Sequence, residues 1–198
     1  MEEYAITYVK DSPHWEEIPV LKMDYILWMP DAGVRAEGQL CTDGEYLYVH
    51  MRAMEKEIRA EFTEPLSPVC QDSCLEFFFK LESEECYFNF EINPNGCLMA
   101  QFGRSGPDRV CLVREDEKEY FDIHTNRTPD GWEVFYRIPR AFIRMFYPGY
   151  RFEGMLLANM YKCGNLTRHK HFLSWAPVHS EVPNFHRPED FQEMRFEK

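Results

Sequence analysis

Apolar and polar residues alternate along most of this chain in runs of five to ten, and Gly, Pro, Asn and Asp break the runs at short intervals. That is the period of strands, not of helices. Tyr46-Leu47-Tyr48-Val49-His50-Met51 follows an Asp43-Gly44 turn, and Leu75 to Leu81 reads as a buried strand. Tyr87 to Asn93 sets Phe88, Phe90 and Ile92 on one face and Asn89, Glu91 and Asn93 on the other. After the turn signal Asn93-Pro94-Asn95-Gly96, further strands are predicted over Cys97 to Phe102, Val110 to Val113, Phe121 to His124, Trp132 to Ile138 and Met155 to Tyr161. Arg140 to Phe146 alone reads as helical, a short turn after a strand that ends in Pro139. Turns about every 8–12 residues predict an all-β fold, an antiparallel β-sandwich of immunoglobulin or jelly-roll type with one short helix. The mixed-sign cluster from Arg114 to Glu119 reads as a solvated hairpin loop. No repeat or linker interrupts the pattern, so residues 1–198 read as one domain.

Composition narrows the partners. Aromatic residues make up 16% of the chain, which suits half-buried pleated surfaces. A net charge of −12 works against nucleic acid and anionic membranes, because phosphate recognition needs a positive face. No stretch approaches the roughly 20 apolar residues of a membrane span. The opening Met1-Glu2-Glu3-Tyr4 lacks the basic and apolar regions of a secretion signal, and the seven cysteines are odd in number and scattered. Reduced, buried thiols in a cytoplasmic protein are the expectation. Oligomeric state is not legible.

The closing third carries a resemblance. A strand ending in Ser174-Trp175 is followed by Asn184-Phe185-His186-Arg187-Pro188-Glu189-Asp190-Phe191 and then Met194-Arg195-Phe196. Upstream, Asp43 to Val49, Gln71-Asp72-Ser73-Cys74-Leu75-Glu76-Phe77-Phe78 and Tyr87 to Asn93 occur in matching order. Together these blocks resemble the carbohydrate-binding module family 9-like domains, a DOMON-like β-sandwich group, from about Trp15 to Phe196. The resemblance implies a non-catalytic protein that recognises a mono- or oligosaccharide. It also implies two tryptophans sandwiching the sugar, but their positions here hold Val69 and Phe185. Glu76 carries over directly, whereas Asn89 stands where sugar-binding relatives tend to carry Arg.

Sugar recognition needs an aromatic face under the ring and planar polar groups for the hydroxyls. The candidate binding residues are Glu76, Asn89, Glu91, Lys162, His171, Phe185, His186 and Arg187. Trp15 and Trp28, in the segment from Asp11 to Asp31, are candidates to cover the cleft. Glu76 and Glu91 offer a carboxylate pair on neighbouring strands, so a small enzyme acting on a glycoside or sugar ester is the alternative, and an interaction sandwich with a decayed sugar site is another. No catalytic residue is assigned: neither a Gly-x-Ser-x-Gly elbow nor a phosphate loop is present. Cys163, His169, His171 and His186 match no standard zinc spacing, so no metal site is assigned. No cofactor is expected beyond the structural calcium that modules of this kind can carry, and no Asp/Asn-rich loop names a site for it.

Overall fold

The apolar runs fold into strands that hydrogen-bond in one continuous, curled sheet. The structure is a computed structural model that describes residues 3–105, 109–112 and 116–197. In chain order the strands are β1 (Glu3–Tyr8), β2 (Leu21–Lys22), β3 (Tyr25–Ile26), β4 (Arg35–Thr42), β5 (Tyr46–Met54), β6 (Ser73–Leu81), β7 (Tyr87–Ile92), β8 (Leu98–Gly103) and β9 (Val110–Cys111). A short helix α1 (Glu117–Tyr120) leads to β10 (His124–Thr128) and β11 (Gly131–Pro139). Helix α2 (Arg140–Arg144), β12 (Met155–Gly164), β13 (His171–Ser174) and β14 (Gln192–Glu197) complete the chain.

The strand order is β10-β11-β5-β4-β1-β14-β12-β6-β7-β8-β9. The sheet folds over on itself at β1, which runs parallel to both neighbours: Glu3 to Thr7 pair with β14, and Thr7 and Tyr8 pair with β4. The other strand pairs are antiparallel. One layer contributes Leu47, Val49 and Met51 of β5 with Trp132, Val134 and Ile138 of β11; the other contributes Phe77, Phe79, Phe88, Phe90, Ile92 and Met160, all buried in one cluster. Phe90 stacks on Tyr136 across the two layers at 6.1 Å. Each fully buried side chain of this size contributes about 1.5–3 kcal/mol by leaving water, so this interlayer core is the main source of cohesion.

A second apolar cluster lies on the opposite side of β6, β7 and β12. Val69, Cys74, Phe78, Tyr87, Tyr161, Cys163, Phe172, Phe185 and Phe191 form it, so the segment between β13 and β14 packs on what would otherwise be a solvated sheet face. This explains why β6 is apolar on both sides around Glu76: every residue from Ser73 to Phe79 is buried, on both faces.

The sandwich matches the expected class, with local differences. A second helix, α1, occupies part of the expected Arg114–Glu119 loop, and the strand predicted from Phe121 begins at His124, after a turn in which Asp122 has φ 52°. Phe121 and Ile123 point into the core from that turn, which is why they mimic a strand. Of the strand predicted over Val110 to Val113, Val110 and Cys111 pair with β8; Val113, Arg114 and Glu115 lie outside the described residues. Among the described residues, no helix is long and apolar enough to cross a membrane.

Candidate functional site

The outer face of β6, β7 and β12 carries a polar row inside its apolar surround. Register sets it: Glu76 lies directly opposite Glu91 on one side and Tyr161 on the other, while Cys74 lies opposite Cys163. Directly paired residues of an antiparallel ladder share a face, so two carboxyl groups and two thiols share this one. Roofing segments complete a cleft of about 210 Å3, lined by Glu76, Glu91, Cys70, Cys163, Trp28, Phe172, Phe185 and His186 among others.

Aromatic groups form one wall. Phe185 stacks on Tyr161 at 4.1 Å with rings 14° apart, and Trp28 sits 5.5 Å from Phe185 and 5.3 Å from Phe172. The Trp28 indole Nε1 donates to the Ser180 carbonyl at 2.7 Å. Its backbone is left-handed, at φ 55°, a conformation unusual for a bulky side chain. His186 stands at the far end, its Nδ1 2.8 Å from the Tyr87 hydroxyl and its ring 5.1 Å from Phe78.

The floor is held mostly neutral. Burial pushes the Glu76 carboxyl well up, and the neighbouring Glu91 adds to the shift, against the opposing pull of the Cys163 thiol and Lys162. Burial likewise raises Glu91 to about 7, opposed by the hydrogen bond from Asn89 and by the Arg109 charge. Burial, then Arg109, hold His186 down at about 4. Near neutral pH, Glu76 is therefore an acid with a proton to donate, and Glu91 is the group that ionises first.

Residues from beside the cleft buttress it. Asn89 is fully buried; its Nδ2 donates to Glu91 Oε1 at 2.9 Å and its Oδ1 accepts from the Arg109 guanidinium, which covers the Tyr87 ring at 3.7 Å. A second cavity of about 560 Å3 shares Asn184 and His186 with the first and adds Arg109, Arg187, Gln101 and Glu189. Arg187 stands in this adjoining cavity, its Nε donating to Asp190 Oδ2 at 2.6 Å.

The model of Carbohydrate-binding family 9 matches residues 10–196. The chain belongs to that family. Among solved structures, a Bacteroides uniformis protein assigned to carbohydrate binding is similar over 99% of both chains, at 25% identity and a TM-score of 0.84. Two structures of a family 9 carbohydrate-binding module from Caldicellulosiruptor kristjanssonii, one with glucose and one with cellotriose, are each 13% identical. The glucose structure has a TM-score of 0.69 over 99% of this chain and 96% of that one, and the cellotriose structure 0.68 over 98% and 93%. At that identity they speak to the fold. No curated protein matches.

In this family 9 chain the eight candidates divide four ways. Glu76, Glu91, Phe185 and His186 line the cleft together, Asn89 sits buried behind Glu91, and Arg187 serves the neighbouring cavity. Lys162 and His171 do not reach it. Lys162 alternates with Tyr161 and Cys163 on β12 and so points to the other face, where its Nζ donates to His171 Nε2 at 2.8 Å and pairs with Glu55 Oε1 at 3.2 Å. The Glu55 carboxylate also accepts from Trp132 Nε1 at 2.7 Å and the Ser73 hydroxyl at 3.1 Å, and His171 Nδ1 donates to the His169 carbonyl at 2.7 Å. Burial and Lys162 lower His171 to about 4, which keeps it a neutral acceptor for the ammonium. This is a satisfied buried ion network.

The tryptophan positions also resolve. Val69 is fully buried beneath the cleft, and Trp28 supplies the second large ring from a different segment. Trp15 packs instead against His50 and Phe135 on the opposite layer. The guanidinium that Asn89 lacks arrives from Arg109, which carries no sequence signal of its own. Among the described residues, the group with metal-ligand geometry is Cys74, Glu76 and Cys163; the sulfur donors do not suit calcium.

Proposed function

We propose that this protein is a non-catalytic carbohydrate-binding protein whose cleft holds one sugar ring between the Trp28–Phe185 wall and the Glu76–Glu91 floor. The observation that carries this reading is the juxtaposition itself. An aromatic wall faces two adjacent carboxyl groups in a cavity below the roughly 300–1,000 Å3 of drug-sized pockets. Glu76 donates to a hydroxyl while Glu91 accepts from one, so the floor reads both senses of a sugar O–H. His186 adds a neutral imidazole edge. The adjoining cavity accommodates a second sugar unit, where Arg109 and Arg187 provide guanidinium donors; buried Nε of Arg109 has no partner among the described residues. Seven unpaired thiols are compatible with a reducing, cytoplasmic setting.

Titrating tryptophan fluorescence and heat against mono- and oligosaccharides tests the reading. A saturable response that is lost in Trp28→Ala and Glu91→Ala supports it. Silence by both methods across the panel overturns it in favour of an interaction sandwich, and turnover of a glycoside or sugar ester would replace it with an enzyme.

A further inference from the structure

We propose that Cys74, Cys163 and Glu76 form a binding site for one soft divalent ion, such as zinc or cadmium, at the edge of the cleft floor. The inference does not depend on sugar binding. Its basis is geometric. Cys74 and Cys163 are direct cross-strand partners on β6 and β12, and Glu76 follows Cys74 by two residues, on the same face. One donor atom from each lies within 4.8 Å of the other two, and the Cys163 Sγ to Glu76 Oε1 separation is 2.9 Å.

A tetrahedral zinc ion with sulfur ligands at about 2.3 Å and a carboxylate oxygen at about 2.0–2.2 Å needs donors separated by roughly 3.4–3.8 Å. The present triangle reaches that by side-chain shifts of about 1 Å, with no change in strand register. All three side chains are buried, at 0% exposure for Cys74 and 2% for Cys163 and Glu76. Two regular strands hold them, so little ordering opposes binding. Glu76 and Cys163 border the cleft, which leaves the fourth position to water or a ligand entering there, as in three-ligand zinc sites. The donor set selects the ion: two sulfurs with one carboxylate disfavour calcium and magnesium and favour thiophilic ions.

Cysteine binds such an ion as its thiolate, and an ordinary thiol still carries its proton near neutral pH. Loading the ion therefore expels protons, and its affinity increases with pH.

Cadmium titration of the full chain, kept reduced by a phosphine, tests this through the ultraviolet thiolate-to-cadmium absorption band. The expected result is one equivalent bound with proton release, weakened at least tenfold in Cys74→Ala and in Cys163→Ala and unchanged in Cys111→Ala, which removes the exposed thiol. If the alanine variants fail to fold, 113Cd NMR of the wild-type chain decides, because its chemical shift distinguishes two sulfur ligands from one or none. Absence of the band, its persistence in both buried-cysteine variants, or a wild-type shift reporting fewer than two sulfurs overturns the proposal.

Discussion

Glu76 and Glu91 face each other directly across β6 and β7, and both are buried. Two ionised carboxylates in that arrangement would repel strongly in a poorly solvated site, so Glu76 keeps its proton while Glu91 titrates first. Glu76→Gln preserves the shape and the neutrality. Its stability is expected within about 1 kcal/mol of the wild type at pH 7, measured by urea unfolding. A loss near 3–5 kcal/mol would mean that Glu76 is charged and paired.

The network around Lys162 predicts a different response. Lys162→Ala leaves Glu55 as a buried, uncompensated carboxylate, which costs about 3–5 kcal/mol. In the fraction that remains folded, sugar affinity is expected to match the wild type, because Lys162 lies on the far face of β12. A selective loss of affinity at unchanged stability would put Lys162 back in the binding site.

Trp28 separates binding from folding in the opposite sense. It is only half-buried, so Trp28→Ala is expected to weaken sugar binding about tenfold or more, roughly 1.4 kcal/mol, with a smaller effect on unfolding. Phe78→Ala, by contrast, deletes a fully buried ring at the base of the cleft and is expected to cost about 3–5 kcal/mol of stability. Paired calorimetric titrations and thermal melts check both; equal stability losses would contradict the division.

His186 gives the pH dependence a sign. Its folded pKa, about 4, lies below the usual 6.5, so the unfolded chain binds more protons between those values and stability rises with pH there. As pH falls from about 6.5 to about 4, the wild type should lose stability through this residue. The shift sets a ceiling of roughly 3 kcal/mol. His171 adds a loss of the same sign, whereas the raised Glu91 works the other way, favouring the folded state as pH falls from about 7. The informative quantity is therefore the difference between wild type and His186→Asn. A difference that stays constant across pH 4–7 would contradict a buried neutral His186.

How much of this was legible depends on whether a strand has a wet face. Alternation located β5, β7 and β11 well, and Glu91 and Asn89 showed their common side because polar and apolar positions alternate on β7. β12 gave no such clue: Met155 to Gly164 is buried along nearly all its length, so nothing in the sequence marked which of its two faces, that of Lys162 or that of Tyr161 and Cys163, borders the cleft. β4 carries Gly38 and polar residues in its middle and escaped notice. Trp28 and Arg109 reach the site from irregular segments, where position is set by tertiary packing and no period exists to read.

The parallel seam at β1 bears on how the molecule is made on the ribosome. β1 is made before the other strands of this sheet, yet its longer pairing is with β14, nearly 190 residues later in the chain. The sheet face under the cleft is complete once β7 and β12 have emerged, but its cover, with Phe185 and His186, follows only with the stretch before β14. Until then Phe78, Tyr161 and the neighbouring cysteines lack that part of their cover, and apolar surface left open on an unfinished sheet favours association between copies. The cleft therefore closes only after every strand of its floor is in place, so its completion depends on the stretch between β13 and β14.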